Sequence, residues 1–308
     1  MMDMKFPPMG GPGGPPPGFK PPMADISSIG RKTLDIPYGD ESKNQRLDIF
    51  LPEAGDGPFP TLVYIHGGGF AIGDKRDDHL EPYLKAMDRG WAVAAVEYRL
   101  SGEAIFPAAV LDVRRAVRFL REHAKEFRLD PAKFVSIGGS AGGNLAAMLG
   151  MNIPNGGFPG ESKEEQYTAD PFVIGCVDQF GPITFKTMDD QARANGVSIV
   201  EHDLPHSAES KYLGIPIAQA CQPLCDQASP LTYAGDKMVP ILVQHGTVDR
   251  LVPYQQSEEF VKALREKGLG DKVTFTPLEG ADHEDKMFGS PENLKTVFDF
   301  IESVIKEC

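Results

Sequence analysis

The sequence predicts an α/β fold with a mostly parallel, eight-stranded sheet and helices on both faces. Three observations carry this reading. From residue 32 onward, short apolar runs alternate with longer segments of helical periodicity. Two strand-like runs come first with no helix between them, and strict strand–helix alternation follows. Finally, Gly138-Gly139-Ser140-Ala141-Gly142 reads G-x-S-x-G and stands between an apolar run, 134–137, and a stretch of good helix formers.

The strands are expected at 33–38, 45–51, 61–66, 91–97, 134–138, 173–180, 241–245 and 273–278. Helices are expected at 79–89, 108–123, 141–151, 254–267 and 291–306. In the last of these, Leu294, Val297, Phe298, Ile301, Val304 and Ile305 recur at helical spacing and make one apolar face. Residues 1–30 read as an arm. Thirteen of the sixteen residues from 7 to 22 are Pro or Gly, which predicts an extended or disordered segment outside any core. Residues 31–308 then form one catalytic domain. Within it, 152–236 is irregular and polar apart from one strand, as expected of a loop-type lid insertion roofing a site.

The net charge of −13 disfavours nucleic acid, anionic membrane surfaces and strongly anionic substrates. Neutral ligands such as sugars and uncharged esters stay open. Cys176, Cys221, Cys225 and Cys308 are too few for a disulfide framework, and the C-x₃-C spacing of Cys221 and Cys225 lacks a second pair, so no metal site is expected. No apolar run approaches the ~18 residues of a membrane span. The N-terminus lacks the basic-then-apolar layout of a secretion signal, so the expected location is cytoplasmic. A homo-oligomer stays open.

The chemistry concentrates in four places. A sharp strand-to-helix turn would push Ser140 out of the sheet, and its glycines permit the tight backbone approach. A serine hydroxyl needs a base, and the base needs a carboxylate to fix its tautomer. Asp249 follows the strand at 241–245, and His283 follows the strand at 273–278, so both lie on loops at the same sheet edge. Asp226 and Asp236 follow no clear strand. Asp282 and Asp285 flank the histidine too closely in sequence to hold its ring. His79, His123, His202 and His206 read most simply as surface residues, and His245 as shaping the acid loop. After the strand at 61–66 comes His66-Gly67-Gly68-Gly69-Phe70. Its Gly68 and Gly69 amides, with that of Ala141, are the expected donors to a developing oxyanion.

With these residues in place, the chain resembles the α/β-hydrolases. Within them it resembles the hormone-sensitive-lipase-like carboxylesterases, and more closely their acetyl-xylan and feruloyl esterase relatives. The resemblance rests on HGGGFAIGDK at 66–75, GGSAGGNLAAM at 138–148, DQFGPITF at 178–185, HGTVDRLVPYQQSEEF at 245–260 and EGADHEDKMF at 279–288. It spans roughly residues 30–306. Two departures from the lipase-like pattern favour the carbohydrate-esterase branch. Gly139 replaces the usual acidic residue before the serine, and no N-terminal helical cap precedes the first strand.

The resulting expectation is a serine esterase without metal or cofactor, with Ser140 as nucleophile, His283 as base and Asp249 as orienting acid. Its substrate would be a small ester or acylated carbohydrate, the acyl group acetyl or hydroxycinnamoyl. Phe70, Asp178, Gln179 and Phe180 are the candidate substrate-binding residues. Two rivals stand beside it. One is an amide-cleaving enzyme of the same fold, a peptidase or arylformamidase, with Glu201 or Asp203 available to hold an ammonium group. The other is a non-catalytic binding protein on the same scaffold.

Overall fold

The computed structural model describes residues 21–163, 165 and 168–307. Most of the Pro/Gly arm lies outside them. The part of it within the described residues is tied to the domain: Ala24 N–H donates to Arg76 O (2.8 Å) and Asp78 N–H to Pro22 O (2.9 Å).

Eight strands form one sheet: β1 (Lys32–Pro37), β2 (Arg46–Phe50), β3 (Phe59–Ile65), β4 (Ala92–Val96), β5 (Leu129–Gly139), β6 (Gly175–Gln179), β7 (Ile241–Gly246) and β8 (Val273–Leu278). Their spatial order is β1-β2-β4-β3-β5-β6-β7-β8. The β1–β2 and β2–β4 pairings are antiparallel and every other pairing is parallel. The expected eight strands are all present. β5 extends further back than its apolar run suggests, because Leu129 pairs with Phe59 across a register shift.

Successive side chains of a strand face opposite ways, and the core divides accordingly. Val63 and Ile65 of β3 face a layer built from α2 (Ala108–Glu122), α3 (Ala141–Gly150) and α8 (Gln255–Glu266). Leu62 and Tyr64 face the other layer, where α9 (Pro291–Glu307) presents Leu294, Val297, Phe298, Ile301 and Val304. The helix expected at 79–89 is instead broken. A 3₁₀ turn precedes the one-turn α1 (Glu81–Leu84), a second 3₁₀ segment follows, and Gly90 stops it in a left-handed conformation, φ 79°.

The segment 152–236, read as an insertion with one strand in it, carries that strand as β6, a central strand of the sheet. Its first part is anchored to α2, where Arg114 and Arg118 both bind the buried Glu161 carboxylate. Its second part carries α4 (Met188–Asn195), α5 (Ala208–Leu213), α6 (Gln222–Gln227) and α7 (Pro230–Tyr233).

β3 and the turn from β5 into α3 are in contact through glycines. A Cβ on Gly138 would lie 2.4 Å from Gly142 O and 2.6 Å from Ile65 O, both backbone atoms. Overpacking of this kind costs roughly 1–3 kcal/mol, so Gly138→Ala should lower the unfolding free energy by at least that much. Gly102→Ala, where a Cβ would meet nothing within 4 Å, should change stability by less than about 0.5 kcal/mol. Urea unfolding of the two variants checks this.

Candidate active site

Four loops converge at the C-terminal edge of the parallel strands, where α/β sheets bind their ligands. Ser140 links β5 to α3 with φ 56° and ψ −125°, a region that non-glycine residues rarely occupy. Its N–H donates to Gln179 O (2.9 Å), which ties the turn to β6. Ser140 is 6 % exposed.

Ser140 Oγ lies 3.0 Å from His283 Nε2, and His283 Nδ1–H donates to Asp249 Oδ2 at 2.7 Å. That second bond leaves Nε2 as the acceptor of the serine proton. The other oxygen, Asp249 Oδ1, accepts from the Leu251 and Val252 amides, each at 2.8 Å. Oδ2 is shared with a second imidazole: His245 Nε2 is 3.2 Å away and also 3.0 Å from Val252 O, while its Nδ1 meets Ser257 Oγ at 2.7 Å. Two acceptors facing Nε2 require the proton there, so His245 donates toward Asp249.

Burial alone would push the Asp249 carboxyl up. The charge of His283 and the hydrogen bonds from His245 and His283 reverse this and hold it well below the usual carboxylate range. Burial would likewise depress His283. The adjacent Asp249 carboxylate outweighs burial, aided by Glu284 and Asp282, and raises the ring above its ordinary 6.5.

The 66–75 loop is clamped from behind. His66 Nδ1 lies 2.8 Å from Gly67 O and Nε2 lies 2.7 Å from Glu97 Oε1. Both ring nitrogens face oxygen acceptors, so the ring is held as an imidazolium. Tyr98 stacks on it at 4.4 Å and donates to His66 O (3.0 Å). Gly68 and Gly69 have φ 97° and 58°; a Cβ on Gly68 would lie 2.1 Å from Ile72 O. Among the described residues the Gly68, Gly69 and Ala141 amides donate to no protein acceptor.

The four candidate binding residues separate. Gln179 and Phe180 line the larger cavity at Ser140, and Phe180 packs edge-on against His283 at 4.8 Å. Phe70 lines a second, smaller cavity and stacks on Tyr212 at 3.8 Å. Asp178 lines neither. It is fully buried, its Oδ1 accepts from Gly181 N–H (3.0 Å), and burial pushes its carboxyl up to about 6. It therefore belongs to the support beneath the elbow, since side chains alternate along β6 and Asp178 and Gln179 point opposite ways. His202 also departs from expectation: it is 3 % exposed and faces Glu209 at 3.4 Å. Of the two acidic residues considered for an ammonium group, Glu201 lines the smaller cavity and Asp203 does not. Asp282 binds Arg250 (2.6 Å from Nε), not the His283 ring. Among the described residues no group of three His, Cys, Asp or Glu side chains could hold a metal ion, and no helix is long and apolar enough to cross a membrane.

The family model of BD-FAE matches residues 47–264. The chain belongs to the BD-FAE family. This bears out the resemblance drawn from its motifs. The chain is 29 % identical to the esterase LipQ of Mycobacterium tuberculosis over 255 residues, which is 82 % of this chain and 57 % of LipQ. It spans less than two thirds of the length of LipQ and of two further curated relatives that it matches. Among solved structures, a bifunctional GH43-CE protein of Bacteroides eggerthii superposes with a TM-score of 0.75 at 27 % identity, covering 89 % of this chain and 35 % of that one. A truncated carbohydrate esterase from gut microbiota superposes with the same TM-score at 24 % identity, over 92 % and 99 % of the two chains. That match shows the α/β-hydrolase fold.

The His66–Glu97 pair predicts a pH dependence of stability. The pair holds His66 up to about 9 in the folded chain against an ordinary 6.5, and Glu97 below its ordinary value. A raised folded-state pKa contributes stability that is complete below 6.5 and is lost as the pH rises through about 9. Wild type should lose unfolding free energy across that window relative to His66→Gln. Parallel profiles in urea unfolding would contradict the charged pair.

Proposed function

We propose that this chain hydrolyses carboxylic esters through a covalent acyl-serine, with acylated carbohydrates as its substrates. The observation that carries the reading is the continuous hydrogen-bond path from Ser140 Oγ through His283 to Asp249. The esterase relative and the carbohydrate-esterase neighbours support it.

His283 Nε2 takes the proton of Ser140 Oγ as the oxygen attacks the ester carbonyl. The oxyanion that develops is met by the amides of Gly68, Gly69 and Ala141, donors already aimed and worth roughly 3–4 kcal/mol each by comparison with single-donor removal. The C–O bond breaks, His283 protonates the departing alkoxide, and the acyl group stays on Ser140. Water, deprotonated by His283, then attacks the acyl carbon. Ser140 recovers its proton from His283 and the acid leaves. Asp249 remains ionised throughout and stabilises the imidazolium.

Gly139 bears on the substrate. A Cβ there would lie 2.8 Å from Phe180 Cζ. Glycine lets the Phe180 ring close against the elbow and His283, and no acidic side chain fits while that ring is in place. The neutral aromatic wall suits an uncharged sugar ester.

Ser140→Ala should reduce kcat/KM for p-nitrophenyl acetate by at least about 10³-fold, and a variant with wild-type turnover would end this reading. Asp249→Asn should lower kcat by about 10⁴-fold with the fold intact. The acid limb of kcat/KM should have its midpoint above 6.5, since His283 acts as base only when neutral and its neighbours raise it. A midpoint well below 6.5 would contradict the electrostatics of the site.

A further inference from the structure

Ser140 stands at the junction of two cavities of very different size. The larger, about 380 Å³, is lined by His283, Glu284, Phe180, Ile72 and Tyr83 among others. The smaller, about 40 Å³, is lined by Ala141, Phe70, Ile199, Glu201, His202 and Glu209 among others. His283 borders only the first.

That asymmetry orients a substrate. In the ester-hydrolase reading, on which this inference rests, His283 must hand its proton to the departing alkoxide. The leaving oxygen therefore lies on the side of Ser140 that His283 faces. The acyl substituent and the leaving oxygen occupy different corners of the tetrahedral intermediate, so the substituent points away from His283. We propose that the 40 Å³ cavity is the acyl subsite and the 380 Å³ cavity is the alcohol subsite. The substrate class is then an ester of a two- or three-carbon acid with a bulky, neutral or cationic alcohol.

Three features limit the acyl group. An apolar cavity of about 150 Å³ is the size that accommodates benzene, so 40 Å³ excludes the ring of a hydroxycinnamoyl group. The Phe70 wall cannot easily retreat, because its ring is stacked on Tyr212 at 3.8 Å and met edge-on by Phe185 at 6.3 Å. Carboxylates share the cavity lining: a longer chain brings methylenes against Glu201 and the Glu209–His202 pair, which would lose solvation or partners. On the alcohol side, Asp77, Asp78, Glu284 and Asp285 outnumber Lys286, so an anionic alcohol is repelled.

The test compares p-nitrophenyl acetate, propionate, butyrate and hexanoate, with methyl ferulate and with acetates of alcohols of graded size and charge. The proteins are wild type, Ile199→Ala in the small cavity, Ile72→Ala in the large one, and Ala208→Leu, which fills the small cavity from α5. A single methylene in a tight pocket discriminates by about 10–200-fold. The butyrate-to-acetate ratio of kcat/KM should rise at least tenfold in Ile199→Ala, and the propionate-to-acetate ratio should fall in Ala208→Leu. Ile72→Ala should leave the acyl-chain ratios in place and alter the preference among alcohols. Acyl preference that moves with Ile72→Ala and not with either small-cavity variant would reverse the assignment and overturn it. So would methyl ferulate turned over as fast as the acetates. If wild type hydrolyses none of these esters, or Ser140→Ala hydrolyses them equally well, the ester-hydrolase reading falls and takes this inference with it.

Discussion

Ser140 is held at positive φ by contacts that leave no room for a side chain at Gly138 or Gly142. Gly138 lies against Gly142, and a Cβ on Gly142 would lie 2.1 Å from Ile65 O and 2.6 Å from His66 O. Strain of this type costs of the order of 1–3 kcal/mol and persists only where the surroundings over-determine it. Here the same contacts press the end of β3 onto the β5–α3 turn. The glycine loop that leaves β3 is therefore delivered beside the Ser140 hydroxyl and the Ala141 amide. The proposed nucleophile and oxyanion donors are thus placed by one packing contact.

The electrostatics are arranged around that contact in two buried centres. Asp249 accepts two backbone amides on one oxygen and two imidazoles on the other, so its charge is satisfied inside the fold and available to His283. His66 and Glu97 do the corresponding work behind the glycine loop, where Glu97 Oε2 also accepts Lys75 N–H at 3.1 Å and closes the 66–75 segment. Buried ion pairs are costly to desolvate and often contribute little net stability. Here the charged pair fixes the shape of a loop whose amides, in the proposed mechanism, must stay pointed at one position.

Much of this was legible because short sequence patterns encode local backbone geometry. The glycines around Ser140 imply a close approach that the structure contains, and the strands before Asp249 and His283 place both at one sheet edge. Features set by packing between distant segments were not legible. Gln179 and Asp178 are adjacent, and only the direction in which the strand pleats decides which one reaches the cavity. His202 looks like a surface residue in a polar stretch, yet the chain folds back to bury it against Glu209. The role of Gly139 could not be understood without Phe180, 41 positions away, which occupies the space of the missing side chain. The sharing of Asp249 by His245 had a faint signal in the His-x₃-Asp spacing, whose meaning depends on how the loop after β7 closes.

In the proposed mechanism the acyl group passes through Ser140. The most direct measurement is mass spectrometry of the protein quenched in acid during turnover of an acetyl ester, followed by peptide mapping. One acetyl adduct is expected, on the peptide that contains Ser140, formed within the first turnover and lost on further incubation. Sustained turnover with that peptide unmodified at every time, or an adduct confined to another residue, would contradict it.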